Sequence, residues 1–140
     1  MRVITGTARG RVLRTLEGED VRPTTDRVKE AVFSIIQFEI EGRRVLDLFA
    51  GSGQLGIEAL SRGAASATFV DMSKDSLSAV KYNLEHTKLG DNAKVVQTDA
   101  LSFLKLTKDK FDIVFLDPPY ASSLVVDSMK LLSDVVAAGG

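Results

Sequence analysis

"VLDLFAGSGQLG", Val45 to Gly56, decides the fold. It begins as a short apolar run, continues through Gly51, Gly53 and Gly56 in G-x-G-x-x-G spacing, and passes into LGIEALSR, whose apolar residues recur at helical intervals. A strand that turns through glycines into a helix opens a βαβ unit. Glycine permits the tight turn and lets a ligand approach the backbone, and the start of the helix offers unpaired amides.

Working outward, the punctuation is regular. Apolar runs at 45–49, 67–70, 94–96 and 111–116 alternate with helical patterns at 55–62, 74–86 and 100–106. Strands alternating with helices imply a parallel α/β sheet with helices on its faces. The run FDIVFL is apolar almost throughout, as expected of a strand covered on both sides. A last helix is expected over about 124–137, and the chain then stops at "AAGG", where a βα series would turn into its next strand. Either further strands are missing, or the fourth strand is an exposed edge in want of a partner. Upstream, RVITG and RVLRTL read as two short strands joined by a turn from Gly6 to Gly10. A helix is expected from Thr24 or Thr25 to about Glu39, with Val28, Val32, Ile35 and Ile36 on one face and Gly42 as its stop.

At 140 residues the chain is expected to be one domain. No apolar stretch approaches the roughly 20 residues that cross a bilayer, and the start MRVITGTARGR lacks the apolar core of a secretory signal, so a cytoplasmic protein is expected. The absence of cysteine excludes disulfides, thiolate metal sites and thiol nucleophiles. The single histidine, His86, lies in NLEHTKLG, the pattern of an exposed helix end, and is read as a surface residue and not as a triad member. The net charge is −1, but Arg2, Arg9, Arg11 and Arg14 fall in the first sixteen residues without an acid, followed by Arg22 and Arg27. Clustered arginine suits phosphate backbones. The competing reading is a solvated hairpin balanced by Glu17, Glu19 and Asp20.

The glycine turn alone does not choose among nicotinamide, flavin and S-adenosylmethionine binders. The charges around it do more. In an open parallel sheet the ligand lies beyond the carboxyl ends of the strands, and each of the four expected strands delivers an aspartate there: Asp47, Asp71, Asp99 and Asp117. Asp71 falls 18 residues after Gly53, about where an acid meets the hydroxyls of an adenosine ribose. Four carboxylates repel a pyrophosphate and favour S-adenosylmethionine, which carries a sulfonium and an ammonium but no phosphate. The competing reading of any one aspartate is a helix N-cap.

The stretch FLDPPY, Phe115 to Tyr120, uses two of the chain's three prolines side by side. Proline has no amide hydrogen, so the pair ends a strand and leaves carbonyls pointing away from any ladder. An exocyclic amine on a nucleobase is a poor nucleophile because its lone pair is delocalised into the ring. If Asp117 and the Pro118 carbonyl both accept hydrogen bonds from that amine, they localise the lone pair and aim it at the methyl group. Tyr120 can stack on the extracted base, and Pro118 and Pro119 keep the carbonyl rigid.

With these blocks in view, the chain resembles the amino-group methyltransferases of nucleic acids. More narrowly, MRVITGTARGRVL, RPTTDRVKEAVFSII, LDLFAGSGQLGIEALSRGA and FDIVFLDPPY resemble the bacterial RsmD family, which methylates the N2 amine of a guanine in small-subunit ribosomal RNA. The resemblance runs over nearly the whole chain. It implies a Rossmann-like class I methyltransferase sheet lacking its C-terminal strands, with residues 1–41 as an RNA-binding extension and 42–140 as the cofactor-binding and catalytic core. It implies S-adenosyl-L-methionine as cofactor, with Asp47, Gly51 and Gly53 at the methionine moiety, Asp71 at the ribose and Asp99 with Ala100 at the adenine. Phe49, Ser52, Met72 and Asp117 complete that set. Asp117, Pro118, Pro119 and Tyr120 would carry catalysis. Arg9, Arg11, Arg22, Thr24 and Arg27 would meet the RNA. The implied partner is ribosomal RNA or the small-subunit particle, with a monomeric full-length protein and edge-strand association open to this length of chain. Gln54 stands where the family often has a small residue, a departure expected to be harmless if its side chain points outward. The same tetrapeptide serves adenine-N6 and cytosine-N4 methyltransferases. A non-catalytic cofactor- or RNA-binding fragment is a further reading, and a nicotinamide oxidoreductase is disfavoured by the anionic rim. C5 methylation of a pyrimidine would need a cysteine.

Overall fold

The computed structural model describes residues 3–13, 33–34 and 39–116. The expected Thr24 helix beyond Phe33, Ser34 and Glu39, the 124–137 helix, and Arg22, Thr24, Arg27 and Asp117 to Tyr120 lie outside the described residues.

The alternation foreseen in the sequence forms β1 (Arg44–Asp47), α1 (Gln54–Ser61), β2 (Ser66–Asp71), α2 (Lys74–Thr87), β3 (Ala93–Gln97), α3 (Ala100–Leu106) and β4 (Ile113–Phe115). The four strands make one sheet in the order β3-β2-β1-β4, and every pair is parallel. The chain builds outward from β1 through β2 to β3, then crosses back to place β4 on the other side of β1. The point between β1 and β4 is therefore the topological switch, where open α/β sheets bind ligands.

Side chains alternate across the sheet, and both faces are dry. Val45 of β1 and Phe69 of β2 join Ile57 and Leu60 of α1 and Leu77, Val80 and Leu84 of α2 in one core. Their sequence neighbours Leu46 and Val70 join Phe103 and Leu104 of α3 and Phe111 in the other. Two-sided burial explains why these strands read as nearly continuous apolar runs. β4 follows the same rule, with Ile113 against the first core and Val114 against the second.

Local chemistry sets the element ends. Ser73 caps α2 by accepting the Ser76 amide at 3.2 Å, and Lys88 at φ 62° ends the helix. Asp99 caps α3, accepting the Ser102 amide at 2.9 Å. Gly42, at φ 75°, sits in the turn closed by the Arg43 amide on Ile40.

The N-terminal segment turns where expected. Residues 3–13 fold back through the Gly6–Gly10 turn, with Val3 donating to Arg11 and accepting from Gly10, both at 2.9 Å, but no strand ladder forms among the described residues. Further backbone bonds go to α1, and Val3, Ala8 and Leu13 enter the first core. Among the described residues no helix is long and apolar enough to cross a membrane.

Candidate cofactor and catalytic site

The glycine turn leaves β1 at the switch point. Gly51 and Gly53 take φ values of 57° and 85°, which L side chains adopt at a cost, and the Gly53 amide closes the turn on the Ala50 carbonyl at 2.8 Å. Gly56 answers to space instead: a Cβ there would lie 2.3 Å from Cε1 of Phe69, so this glycine lets α1 lie against β2. α1 starts at Gly53 with no side-chain cap and no acid in its first turn. That start is a place for a carboxylate.

Three side chains hold the turn. Asp47, 2 % exposed, accepts the Gly56 amide at 3.1 Å. It is the last residue of β1, not part of the turn after it as the spacing suggested. Asp71, at the end of β2, accepts Gly51 N–H at 3.0 Å with one oxygen and Ser73 N–H at 2.8 Å with the other. Asn83 of α2, fully buried, donates its amide to the Ser52 carbonyl at 2.9 Å.

Asp99 follows β3 with both oxygens on Ser102, one from the amide and one from the hydroxyl at 2.7 Å. The Ser102 hydroxyl first, and then its amide, hold the Asp99 carboxyl below the usual carboxylate range. This is the N-cap geometry weighed against a ligand role. Ala100 behind it is buried, Phe49 is half-buried against the second core, and Met72 is 70 % exposed beyond β2.

The structure thus brings Asp47, Gly51, Ser52, Gly53 and Asp71 together at the ends of β1 and β2. Asp99 and Ala100 flank them after β3. Phe115 ends β4, next to Asp47 in register and two residues before Asp117. Arg9 and Arg11 lie apart from this group, exposed on the turn packed on α1. Gln54 does not point outward. Its Nε2 donates to Ser52 Oγ at 3.2 Å, and its Oε1 is buried without a hydrogen-bond partner. His86 is exposed in the last turn of α2, stacked on Tyr82 with ring centroids 5.8 Å apart. Two clefts of about 460 Å³ lie elsewhere, one across Arg44, Thr68, Lys94 and Phe111, the other along β3 and α3, and neither is lined by these site residues.

The sequence reading missed Asn83. Its only signal was position, three residues after Val80 and beside Leu84 on the buried stripe of α2, where a polar side chain needs a partner.

A parallel sheet in this order, with the glycine turn at its switch point, defines a Rossmann-like α/β domain of the class I methyltransferase type. A solved S-adenosylmethionine-dependent methyltransferase from Thiobacillus denitrificans shares the fold, with a TM-score of 0.73 at 21% identity, over 89% of this chain and 49% of that one. A hypothetical protein from Thermus thermophilus superposes with a TM-score of 0.86 at 33% identity, covering 98% of this chain and 80% of that one. The ribosomal RNA small subunit methyltransferase D of Haemophilus influenzae is 42% identical over 137 residues, 96% of this chain and 71% of that protein. The family described as Conserved hypothetical protein 95 matches residues 1–137. The chain belongs to that family, the RsmD-type methyltransferases.

Proposed function

We propose that the chain is an S-adenosylmethionine-dependent methyltransferase acting on the exocyclic N2 amine of a guanine in bacterial small-subunit ribosomal RNA. The observation that carries the reading is the glycine turn at the β1/β4 switch point, held by carboxylates and opening onto a helix start whose N-cap residue, Gly53, brings no side chain of its own. The donor set suits a cofactor with a carboxylate, a ribose and positive charge. The amides at the start of α1 face a carboxylate. Asp71 keeps acceptor capacity beyond its two amide bonds, because a carboxylate offers about four lone-pair sites. Asp47 and Asp71 repel a diphosphate and attract a cation.

The bound cofactor would supply a methyl group on a sulfonium, already activated for displacement. The chain's part is to position the nucleophile. Asp117 and the Pro118 carbonyl would accept the two hydrogens of the guanine amine, Tyr120 would stack on the base, and Asp117 would take the amine proton as the methyl carbon passes to nitrogen and its bond to sulfur breaks, leaving S-adenosylhomocysteine. Residues 1–41 serve as the RNA-binding extension and 42–140 as the cofactor-binding and catalytic core.

Titration calorimetry of the 140-residue chain with S-adenosylhomocysteine and with NADH tests the first half. Binding of the first alone supports the reading; binding of NADH overturns it. Transfer of labelled methyl to ribosomal RNA, followed by nucleoside analysis, tests the second. N2-methylguanosine is the expected product. Methyl at adenine N6 or cytosine N4 would change the target, and cofactor binding without transfer would favour a binding module.

A further inference from the structure

We propose that Glu58 is a positioning residue for the RNA, a buried latch that fixes the arginine-bearing turn of residues 3–13 to the far end of the helix whose start receives the cofactor. Glu58 is fully buried in α1, where a lone carboxylate would be costly. Its partners are unusual for a helix surface. Oε1 accepts the Ile4 amide at 2.8 Å, and Oε2 accepts the Thr5 amide at 3.1 Å and Arg62 Nε at 2.9 Å. One turn on, Ser61 extends the grip: its hydroxyl accepts the Ala8 amide at 2.9 Å and donates to the Thr5 carbonyl at 2.7 Å, and its own carbonyl accepts the Thr7 amide at 2.8 Å. Gly6 fits where no side chain would, since a Cβ there would stand 1.8 Å from the Ser61 carbonyl oxygen.

A segment that served only to cover the core would need Val3, Ala8 and Leu13 and little else. Here five polar contacts fasten its backbone as well, while Arg9 and Arg11 are left exposed on the turn. The latch also reaches the catalytic strand. The Arg62 guanidinium, bonded to Glu58, lies 4.7 Å over the Phe33 ring, and Phe33 packs on Phe115 with centroids 5.6 Å apart. Phe115 stands two residues before Asp117. α1, eight residues and therefore about 12 Å long, acts as a spacer between phosphate contacts and methyl donor. This rests on the RNA methyltransferase reading above.

The test compares Glu58→Gln, Gly6→Ala and the double variant Arg9→Ala/Arg11→Ala, using a transcript of small-subunit ribosomal RNA. Glu58→Gln replaces an acceptor by a donor facing three donors. Gly6→Ala dislodges the turn without altering α1, and so stands in if Glu58→Gln does not fold. Each is expected to raise KM for RNA about tenfold, the scale of losing two phosphate contacts, with S-adenosylhomocysteine affinity and kcat at saturating RNA within about twofold. Removing the arginines from the Glu58→Gln protein should then cost far less than removing them from the wild type. Unchanged KM in folded variants, an equal fall in cofactor affinity, or additive losses would overturn the latch. If removing the arginines from the wild type leaves RNA binding intact while methyl transfer persists, the RNA-contact role of the turn fails and takes the latch with it. Absence of both cofactor binding and transfer in the wild type would instead refute the enzyme reading itself.

Discussion

Asp47, Asp71 and Asn83 each answer a backbone group of the glycine turn, so the turn's shape is set before any ligand arrives. Preorganisation of this kind reduces the ordering cost of binding. Asn83→Ala removes the donor from the Ser52 carbonyl and should cost about 1–3 kcal/mol of stability, the penalty of a buried group left unpaired. It should weaken S-adenosylhomocysteine binding as well. Calorimetry beside urea melts checks this; a stability loss with unchanged affinity would restrict Asn83 to the core. Asp117→Ala should abolish methyl transfer while leaving cofactor affinity within a few-fold, because its role is toward the amine. Loss of cofactor binding on that substitution would make Asp117 structural. The glycines and the positions of Asp47, Asp71 and Asp99 at or just after the ends of their strands were legible because both follow from local spacing. Glu58 and Asn83 were not, because a buried polar residue on a helix is written like an exposed one, and their partners lie 54 and 31 positions away.

At the scale of elements, the α/β alternation was readable from period alone, and α3 falls at Ala100–Leu106 as its spacing predicts. The N-terminal fold-back was legible at its turn but not in what holds it. Val3 pairs with Arg11 across the turn, while the amides of Ile4, Thr5 and Ala8 go to Glu58 and Ser61 of α1, so the segment's backbone groups are shared between its own fold-back and the helix. The opposite end of the sheet carries a pH-sensitive tie. Asp112 accepts from the Arg44 side chain at 3.2 and 3.3 Å and from its backbone amide at 2.9 Å, and these bonds, the side-chain ones first, hold its carboxyl below the usual range. A carboxyl lowered in the folded state contributes stability above its unfolded pKa and loses it as pH falls through the folded value. Asp112→Asn should therefore be less stable than wild type near neutrality, with the gap closing as pH drops through the acidic carboxylate range. Urea midpoints measured from about pH 7 downward check this, and a gap independent of pH would assign the effect to packing.

Over the whole molecule the net charge of −1 gives no general attraction to RNA, so docking depends on where the positive charge stands. Among the described residues, two exposed basic regions are compared. Arg9 and Arg11 lie on the turn fastened to α1, whereas Lys105 in the last turn of α3 and Lys108 and Lys110 just after it lie by a helix that packs on the other face of the sheet. The lysine region is diluted by acid, since Asp109 sits among them and pairs with Lys94 at 3.8 Å. Arginine also engages phosphate with a planar fork that lysine lacks. RNA should therefore approach along the α1 face. In filter binding over a range of salt, Arg9→Ala/Arg11→Ala should lower the slope of log K against log salt by about 1.4, two contacts at roughly 0.7 each for single strands. Lys108→Ala/Lys110→Ala should leave the slope nearly unchanged. The reverse result would turn the RNA to the α3 face. The spacing set by α1 would then have no bearing on which guanine reaches Asp117.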